Sequence, residues 1–334
     1  MEKKKKSKKG LIITLVVIAA LILSFVLVCT LKKEEVEPAS GYQNTNPYIT
    51  EDYALVAAHR SGGEIYPENT LFAFKSCCES DDFETDIFEF DLHLTKDNIL
   101  ILLHDKNFDR TSNSEEYFGK KGVKPEEKTY EELRAGLNLG ENYQTADGSY
   151  PYRGLRGDEI PDDLRVVRLE DVLDYLISQD KEYHYIIEIK DGGEIGKTAT
   201  DELYRIISEK GILQNVIAGT FKGDITKYFD EKYDDMIRSA GISEVAKFYF
   251  ASITGAKLNQ ENIKFDVLQI PYKQFVINLG TQDMINRAHK YNIAVQYWTI
   301  NDEEEIKELN DRKADAIITD NPKRAYEIIH GENK

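Results

Sequence analysis

Apolar and polar positions along the chain predict a membrane segment followed by a large α/β domain. Residues 11–31 carry no charge and are predominantly apolar. As a helix at about 1.5 Å per residue, this run would span about 31 Å, close to the hydrocarbon thickness of a bilayer. No polar face interrupts it, which argues against a buried helix of a soluble core. We therefore predict a single transmembrane helix.

The residues around this run indicate its orientation. Six lysines in residues 1–10 predict a basic cytoplasmic tail, which places the rest of the chain outside the cytoplasm at the cell membrane. A cleaved signal peptide is the alternative, but its apolar region is usually shorter and ends in small residues. The sequence before Cys29 is Val-Leu-Val, which also weakens a lipoprotein interpretation.

The polar stretch 32–52 is typical of a linker, and residues 53–334 then alternate between short β-rich runs and helical patterns. This alternation predicts an α/β fold with a parallel sheet covered by helices, and its length suits a (β/α)8 TIM barrel. A long stretch rich in Gly, Tyr and charge, about 111–167, predicts a small insertion beside the cleft. The predicted strands are 54–59, 87–94, 99–104, 185–190, 215–221, 236–240, 267–271, 294–300 and 315–319. The predicted helices include 70–79, 169–179, 199–210, 243–253, 281–291 and 303–310.

The strand 87–94 separates apolar from polar side chains by parity. Apolar residues alternate with Glu89, Asp91 and His93, and alternate side chains of a strand point to opposite faces. We therefore predict that the two carboxylates face the barrel interior while the apolar residues pack under helices. His93 shares the interior face, where we expect it to be a hydrogen-bonding residue. The second run, 99–104, is so close that it predicts a hairpin with the first.

The strand 185–190 repeats this pattern with Glu188 and Lys190. Together with Glu89 and Asp91, it places three carboxylates inside one barrel. Such groups repel one another unless they bind a cation or pair with basic side chains. Oxygen ligands at this density suit Mg²⁺ or Ca²⁺, so we predict one divalent cation there.

Two histidines follow strongly apolar strands, where the active sites of barrel enzymes lie. His59 and His104 each close a run of five apolar residues. One such histidine is more often structural, but two beside carboxylates suit a general acid and a general base near neutral pH. Arg60 can donate two hydrogen bonds to phosphate oxygens, and Lys190 adds a positive charge.

Charge and cysteine content exclude several classes of protein. The formal net charge is −17, which argues against nucleic acid as a partner. Residues 1–33 contain eight lysines and one glutamate. This leaves 35 basic and 59 acidic residues after them, a net charge of −24. Three cysteines do not form a disulfide framework, and we expect the adjacent Cys77 and Cys78 to pack within a helix.

Segment 59–70 (HRSGGEIYPENT) resembles the HRG and PENT opening motifs of the glycerophosphodiester phosphodiesterase family. Further on, the family's order of E-x-D, T-x-D, HD and RT is followed by Glu89 to Asp91, Thr95 to Asp97, His104-Asp105 and Arg110-Thr111. The sequences EIK at 188–190, WTIN at 298–301 and ITDNP at 318–322 resemble later motifs. Each motif is short, but the ordered set across residues 53–328 is specific.

The resemblance implies a membrane-anchored, bacterial-type enzyme that hydrolyses glycerophosphodiesters to sn-glycerol 3-phosphate and an alcohol, with water or the substrate's own glycerol hydroxyl as nucleophile. It also implies roles for the candidate residues. His59 and His104 would be the catalytic acid/base pair. Arg60 and Lys190 would bind phosphate, Glu89, Asp91 and Glu188 would bind the metal, and Glu68 would lie at or beside the metal site. Trp298 would either line the cleft or pack in the barrel.

One residue departs from the family pattern. Ser61 stands where the family usually has Gly, so its side chain would either narrow the approach to the phosphate or change the loop backbone.

Two other functions stay open. The first is a lysophospholipase D acting on lysophospholipids, suggested by apolar residues near later strand ends (Ile270, Tyr272, Phe275, Trp298). The second is a non-catalytic barrel that binds envelope lipid or glycerophosphate polymer.

Overall fold

The computed structural model describes residues 34–38, 41–274 and 277–331. The predicted cytoplasmic tail and transmembrane helix, residues 1–10 and 11–31, lie outside these ranges. Within the described ranges, no helix has the length and hydropathy needed to span a bilayer.

Parallel strands form a nearly closed barrel, which confirms the predicted α/β barrel. Seven strands lie side by side, and each bonds to the next in parallel. Their order is β5 (Val216–Gly219), β4 (His184–Ile189), β2 (Ile87–Leu94), β1 (Leu55–Ala58), β10 (Ala316–Thr319), β9 (Ala294–Trp298) and β6 (Val267–Pro271).

Segment 236–240 fills the gap between β5 and β6. Its predicted strand is reduced to isolated bridges that join Arg238 to Ala218 and Ser239 to Val267. The amide of Ser239 donates to the Ala218 carbonyl at 2.9 Å, and the amide of Ala240 donates to the Val267 carbonyl at 2.9 Å. With these bonds, segment 236–240 occupies the eighth strand position of the barrel.

Two hairpins accompany the barrel. Strand β3 (Leu100–Leu102) pairs antiparallel with β2, so the predicted hairpin is confirmed. Strands β7 (Lys273–Gln274) and β8 (Ile277–Asn278) form a second hairpin that the sequence pattern did not predict. The helices in chain order are α1 (Leu71–Cys78), α2 (Ser114–Phe118), α3 (Tyr130–Arg134), α4 (Leu169–Ile177), α5 (Gly193–Glu209), α6 (Gly223–Lys232), α7 (Ile242–Thr254), α8 (Gln282–Lys290), α9 (Glu303–Asp311) and α10 (Pro322–His330).

The two faces of β2 separate as the parity of the sequence predicts. Phe88 and Phe90 point outward and pack on Phe74 of α1, with ring centroids 5.3 and 5.4 Å apart. Ile87 belongs to the interior cluster with Ile186 of β4. The residues that follow Ile87 on the same face are therefore directed into the barrel.

Residues before the predicted domain boundary close the lower end of the barrel, which is the end at which the parallel strands begin. Tyr48 is only 1% exposed and packs in the interior cluster. Its hydroxyl donates to the Gln214 carbonyl at 2.9 Å. The side-chain amide of Asn46 donates to the carbonyls of Asp266 and Asn292. Part of the predicted linker is thus packed against the barrel.

The stretch predicted as an insertion carries α2, α3 and a small apolar core of its own. Phe108, Tyr130, Leu133 and Val166 pack together beside β3. Helix α3 begins with a capping box, in which Thr129 accepts from the Glu132 amide and the Glu132 carboxylate accepts from the Thr129 amide. This core holds the stretch against the upper end of β2 and β3.

Glu244 is expected to stabilise the weakly paired segment through a charge that depends on pH. Its carboxylate accepts from the Arg238 guanidinium at 2.8 and 3.0 Å and from the Gly241 amide at 2.8 Å. Burial raises the pKa of Glu244, but the Arg238 and Gly241 hydrogen bonds outweigh burial and lower it. A lowered pKa stabilises the fold above the unfolded value, and this stabilisation is lost as the pH falls through the folded value.

We expect Glu244→Gln to reduce the free energy of unfolding at pH 7 by about 2 kcal/mol, because buried Arg238 then loses one of its two described ion pairs and keeps the pair with Asp230. The difference from the unsubstituted chain should shrink progressively as the pH falls below the ordinary glutamate value, because the carboxylate is then increasingly protonated. Denaturant titrations in mild detergent at pH 7 and over a series of acidic pH values measure both effects. Glu261→Gln, at an exposed position, is the control, and a pH-independent difference would contradict the charge argument.

Candidate active site

A cavity of about 140 Å³ lies at the carboxyl ends of the barrel strands. It brings together most of the side chains that the sequence singled out. Those lining it are His59, Arg60, Glu89, Asp91, His104, Glu188, Lys190 and Trp298. Glu68 lines a neighbouring cavity, and His93 does not line this one.

Three carboxylates from two adjacent strands converge in the cavity. One oxygen each from Glu89, Asp91 and Glu188 lies within 4.8 Å of the others. Strands β2 and β4 pair in register with Asp91 opposite Glu188, so the parallel sheet itself sets this spacing. The arrangement could hold one metal ion.

The electrostatics of the carboxylates fit a divalent cation. Burial, followed by the charge of Asp91, raises the pKa of Glu89 to about 8. Burial also raises the pKa of Glu188. Burial acts in the same direction on Asp91, but Lys190 and the neighbouring cations outweigh it and lower the pKa of that carboxyl. The three carboxylates repel one another, and the nearby cationic side chains offset this repulsion only in part. Such a cluster of hard oxygen donors suits Mg²⁺ or Ca²⁺.

Two cationic side chains border the carboxylates. Lys190 Nζ lies 3.0 Å from Glu188 and 3.3 Å from Asp91. Arg60 Nε lies 3.7 Å from Asp91, beyond hydrogen-bond distance. This buried Nε has no hydrogen-bond partner among the described residues, so it is available to an anion that enters the cavity.

His59 is held by an aspartate that follows the neighbouring strand β10. Its Nδ1 lies 2.6 Å from Asp320 Oδ1, and Asn301 donates to the other oxygen of Asp320 at 2.7 Å. The remaining ring nitrogen, Nε2, lies 3.9 Å from Glu89. Burial lowers the pKa of His59, but the negative charges of Glu89 and Asp320 outweigh burial and raise it.

His104 is held in the same way by its own neighbour. Its Nδ1 lies 2.7 Å from Asp105 Oδ1. Burial lowers the pKa of His104, and the nearby carboxylates offset only part of this effect. Each histidine therefore has one ring nitrogen fixed by an aspartate, which sets the tautomer and leaves Nε2 to exchange a proton.

An ion-pair chain ties the His104 loop to the His59 loop. Arg110 donates to Asp105 at 2.6 Å and to both oxygens of Glu68 at 2.7 Å. Glu68 in turn accepts from Arg60 at 3.3 Å. Glu68 therefore lies near the three converging carboxylates without being one of them.

The loop after β1 turns through three consecutive residues with positive φ. These are Arg60 at +50°, Ser61 at +62° and Gly62 at +88°. Ser61 is buried and does not line the cavity, so it does not narrow the approach to the phosphate. Its hydroxyl also has no hydrogen-bond partner among the described residues. The departure from the family pattern thus acts on the loop backbone.

Ser61→Gly is expected to raise the free energy of unfolding by about 1 kcal/mol, because Gly adopts positive φ without the steric cost of a Cβ. Ser61→Ala keeps the Cβ and is the matched control, with a smaller gain expected. Denaturant titration measures both variants. A less stable Ser61→Gly protein would mean that the serine side chain contributes more by packing than it costs in backbone strain.

Aromatic side chains form one side of the cavity mouth. Trp298 lines the cavity, and its ring packs edge-on against Phe221 at 5.7 Å. Phe221 follows β5 and is 49% exposed. Ile270 and Tyr272 lie at the end of β6, as expected, but they are buried in the outer cluster with α8 and α9 and do not line the cavity. Phe275 lies outside the described residues.

Several site residues were not singled out from the sequence. Asp320, Asp105 and Arg110 belong to short motifs that were recognised. Asp320 and Arg110 have partners distant along the chain, whereas Asp105 contacts the adjacent His104. Asp191, which pairs at 2.8 Å with His93, the expected hydrogen-bonding residue, lies outside the cavity lining. Phe221 carries no motif, and only its position after a barrel strand could have indicated it.

The model of the glycerophosphoryl diester phosphodiesterase family matches residues 59–324 of this chain. The chain belongs to the glycerophosphoryl diester phosphodiesterase family. Its members hydrolyse glycerophosphodiesters, so the chain is a phosphoric diester hydrolase. The matched residues begin at His59 and include the three converging carboxylates.

Individual relatives support this membership. A glycerophosphodiester phosphodiesterase of Caldanaerobacter subterraneus subsp. tengcongensis is 24% identical over 82% of this chain and 97% of that protein. One from Bacillus subtilis is 25% identical over 97% of this chain and 99% of that protein. The crystal structure of a glycerophosphoryl diester phosphodiesterase domain from Mycobacterium tuberculosis has the same fold. Its TM-score is 0.66 at 13% identity, over 83% of this chain and 99% of that one.

Proposed function

We propose that the chain is a metal-dependent enzyme that releases sn-glycerol 3-phosphate from glycerophosphodiesters. The observation that carries this proposal is the convergence of three carboxylates with two aspartate-held histidines in one cavity. Glu89, Asp91 and Glu188 would hold one Mg²⁺ or Ca²⁺. When bound, such an ion supplies Lewis-acid stabilisation of the phosphoryl oxygens.

The chain's own residues perform the remaining steps. Arg60 and Lys190 bind the phosphodiester and stabilise the negative charge that develops on its oxygens. His59 and His104 act as the acid/base pair: one accepts a proton at Nε2 from the attacking hydroxyl, and the other donates one to the leaving alkoxide. Asp320 and Asp105 keep both rings oriented through their Nδ1 atoms.

A lysophospholipase D activity is the second candidate, and the aromatic mouth favours it. Phe221 and Trp298 present apolar surface at the entrance, where an acyl chain would find partners that a small alcohol does not need. The support comes from these two residues and no longer from Ile270 and Tyr272.

We further propose that residues 11–31 anchor the enzyme as a single-pass membrane protein, with the catalytic barrel on the extracytoplasmic side. The uncharged length of this run and the lysines before it support the proposal. Two neighbouring residues, Lys32 and Lys33, weigh against this orientation, but six lysines precede the run.

A substrate panel with the full chain in mild detergent tests these proposals. Glycerophosphocholine and lysophosphatidylcholine are supplied with Mg²⁺, Ca²⁺ or a chelator, and glycerol 3-phosphate and lysophosphatidate are quantified. We expect hydrolysis only with a divalent cation. A preference for the lysolipid would favour the second candidate, and no hydrolysis of any phosphodiester would support a non-catalytic binding barrel.

A further inference from the structure

Helix α7 exposes an apolar stripe on the outside of the barrel. Ile242, Ala246, Phe250 and Ile253 fall within about 80° of the helix circumference, given 100° per residue. Ile242 is 63% exposed and Ile253 is 57% exposed. Apolar residues grouped on one exposed helix face mark an interaction surface more often than residues scattered singly.

The first described residue of the chain is fixed at the end of this helix. The Glu34 amide donates to the carbonyl of Gly255, the residue that caps α7, at 2.9 Å. The Glu34 carboxylate lies 2.9 Å from buried Arg287 and 3.2 Å from Lys290. It also accepts from the Tyr291 hydroxyl. Glu34 is 9% exposed in its side chain, so this attachment is specific.

The distance from Glu34 to the apolar run 11–31 is short. Three residue steps separate residue 31 from Glu34, and an extended chain covers at most about 3.6 Å per step, or about 11 Å in all. Five residues of helix between Phe250 and Gly255 add about 7.5 Å. If residue 31 ends a transmembrane helix, the carboxyl-terminal end of α7 lies within the headgroup region of the bilayer.

The charge along this helix differs from that of the rest of the domain. Residues 242–258 contain Lys247 and Lys257, both exposed, and one acidic residue, Glu244. Glu244 is ion-paired with Arg238. The chain after residue 33 carries a net charge of −24, which anionic lipids repel. Helix α7 is therefore a face that an anionic membrane surface tolerates.

We propose that the α7 stripe rests on the lipid bilayer, with Ile253 and Phe250 at the boundary between headgroups and acyl chains and the two lysines among the headgroups. This inference rests on the proposed membrane anchor and adds an orientation to it. The upper end of α7 begins two residues after Ala240, which lines the catalytic cavity. The cavity mouth would then open along the membrane surface.

Tryptophan quenching in vesicles tests this orientation with the full chain. Ile253→Trp is reconstituted into phosphatidylcholine/phosphatidylglycerol vesicles whose acyl chains are brominated, and the single native tryptophan, Trp298, gives the baseline. Ile177→Trp, at an exposed position on α4, is the matched control. We expect the added emission at 253 to fall at least twofold relative to unbrominated lipid, and the emission at 177 to stay unchanged.

Attachment through Glu34 provides a second measurement. In the Ile253→Trp background, Glu34→Gln should reduce the quenching, whereas Glu35→Gln should not, because among the described residues Glu35 contacts Lys290 through its backbone carbonyl. Equal quenching at 253 and 177 overturns the proposal. So does a doubled particle mass in detergent with no quenching at 253, since a second copy then covers the stripe.

The outcome does not depend on catalysis. Quenching is read whether or not a phosphodiester is hydrolysed, so failure of the proposed enzymatic activity leaves it intact. Flotation of the vesicles reports the anchor separately. If the chain does not float with them, both the anchor and the membrane-facing stripe are overturned.

Discussion

Replacing His104 or His59 by glutamine is expected to lower kcat for glycerophosphodiester hydrolysis by about 10² to 10⁴-fold, the range contributed by a general acid or base. Glutamine keeps a hydrogen-bonding group of similar reach but cannot exchange a proton. The effect on KM should be small, because Arg60 and Lys190 still bind the phosphate. Release of glycerol 3-phosphate at saturating substrate measures kcat for both variants.

His330→Gln is the control for these substitutions, since His330 lies on α10, outside the lining of the catalytic cavity. Thermal unfolding of all three proteins separates lost chemistry from lost folding. If either active-site variant retained near-normal turnover while folded, the acid/base assignment of that histidine would be wrong. The double variant should lose little more than the worse single variant, because the two residues act in one reaction.

Asp91→Asn is expected to weaken divalent-cation binding by at least about 100-fold and to lower activity in parallel. The substitution removes one of the three converging carboxylates. It also removes a negative charge that partly neutralises Lys190 and Arg60, so the site becomes more positive. Both changes repel a cation. Isothermal titration with Mg²⁺ and with Ca²⁺ measures the affinity, so the result does not depend on an activity assay.

Asp97→Asn is the matched control for the cation site. Asp97 lies in the turn between β2 and β3, where it accepts from Thr95 and from the Tyr130 amide. The control variant should bind the cation as the unsubstituted chain does, with a small loss of stability from the weakened turn. Unchanged affinity in Asp91→Asn would remove Asp91 from the ligand set.

Much of the site could be predicted because the period of a strand determines its faces. Glu89 and Asp91 alternate with phenylalanines that must be buried, so their direction followed from the sequence. The same rule, applied to β6, would have placed Ile270 outside and Gln269 inside, and the structure shows both. Hydrophobicity alone placed Ile270 near the strand end, whereas parity is needed to tell that it faces the helices and not the cavity.

The remainder depends on contacts between distant parts of the chain. Asp320 reaches His59 across 261 positions, and Arg110 reaches Glu68 across 42. No local pattern encodes such pairs, because they exist only once the barrel closes. Segment 236–240 shows the same limit for strands: its residues are suitable, but only isolated bridges form.

The side chain of Tyr48 fills the end of the barrel at which the strands begin. This affects how substrate and products reach and leave the cavity. Because Tyr48 fills the barrel interior at this end, we expect the incoming diester and the departing products to use the cavity at the carboxyl ends of the strands. The products of one turnover must therefore leave the cavity before the next substrate molecule can bind. In the proposed reaction, accumulated glycerol 3-phosphate would then compete with the diester for the cavity and act as a product inhibitor.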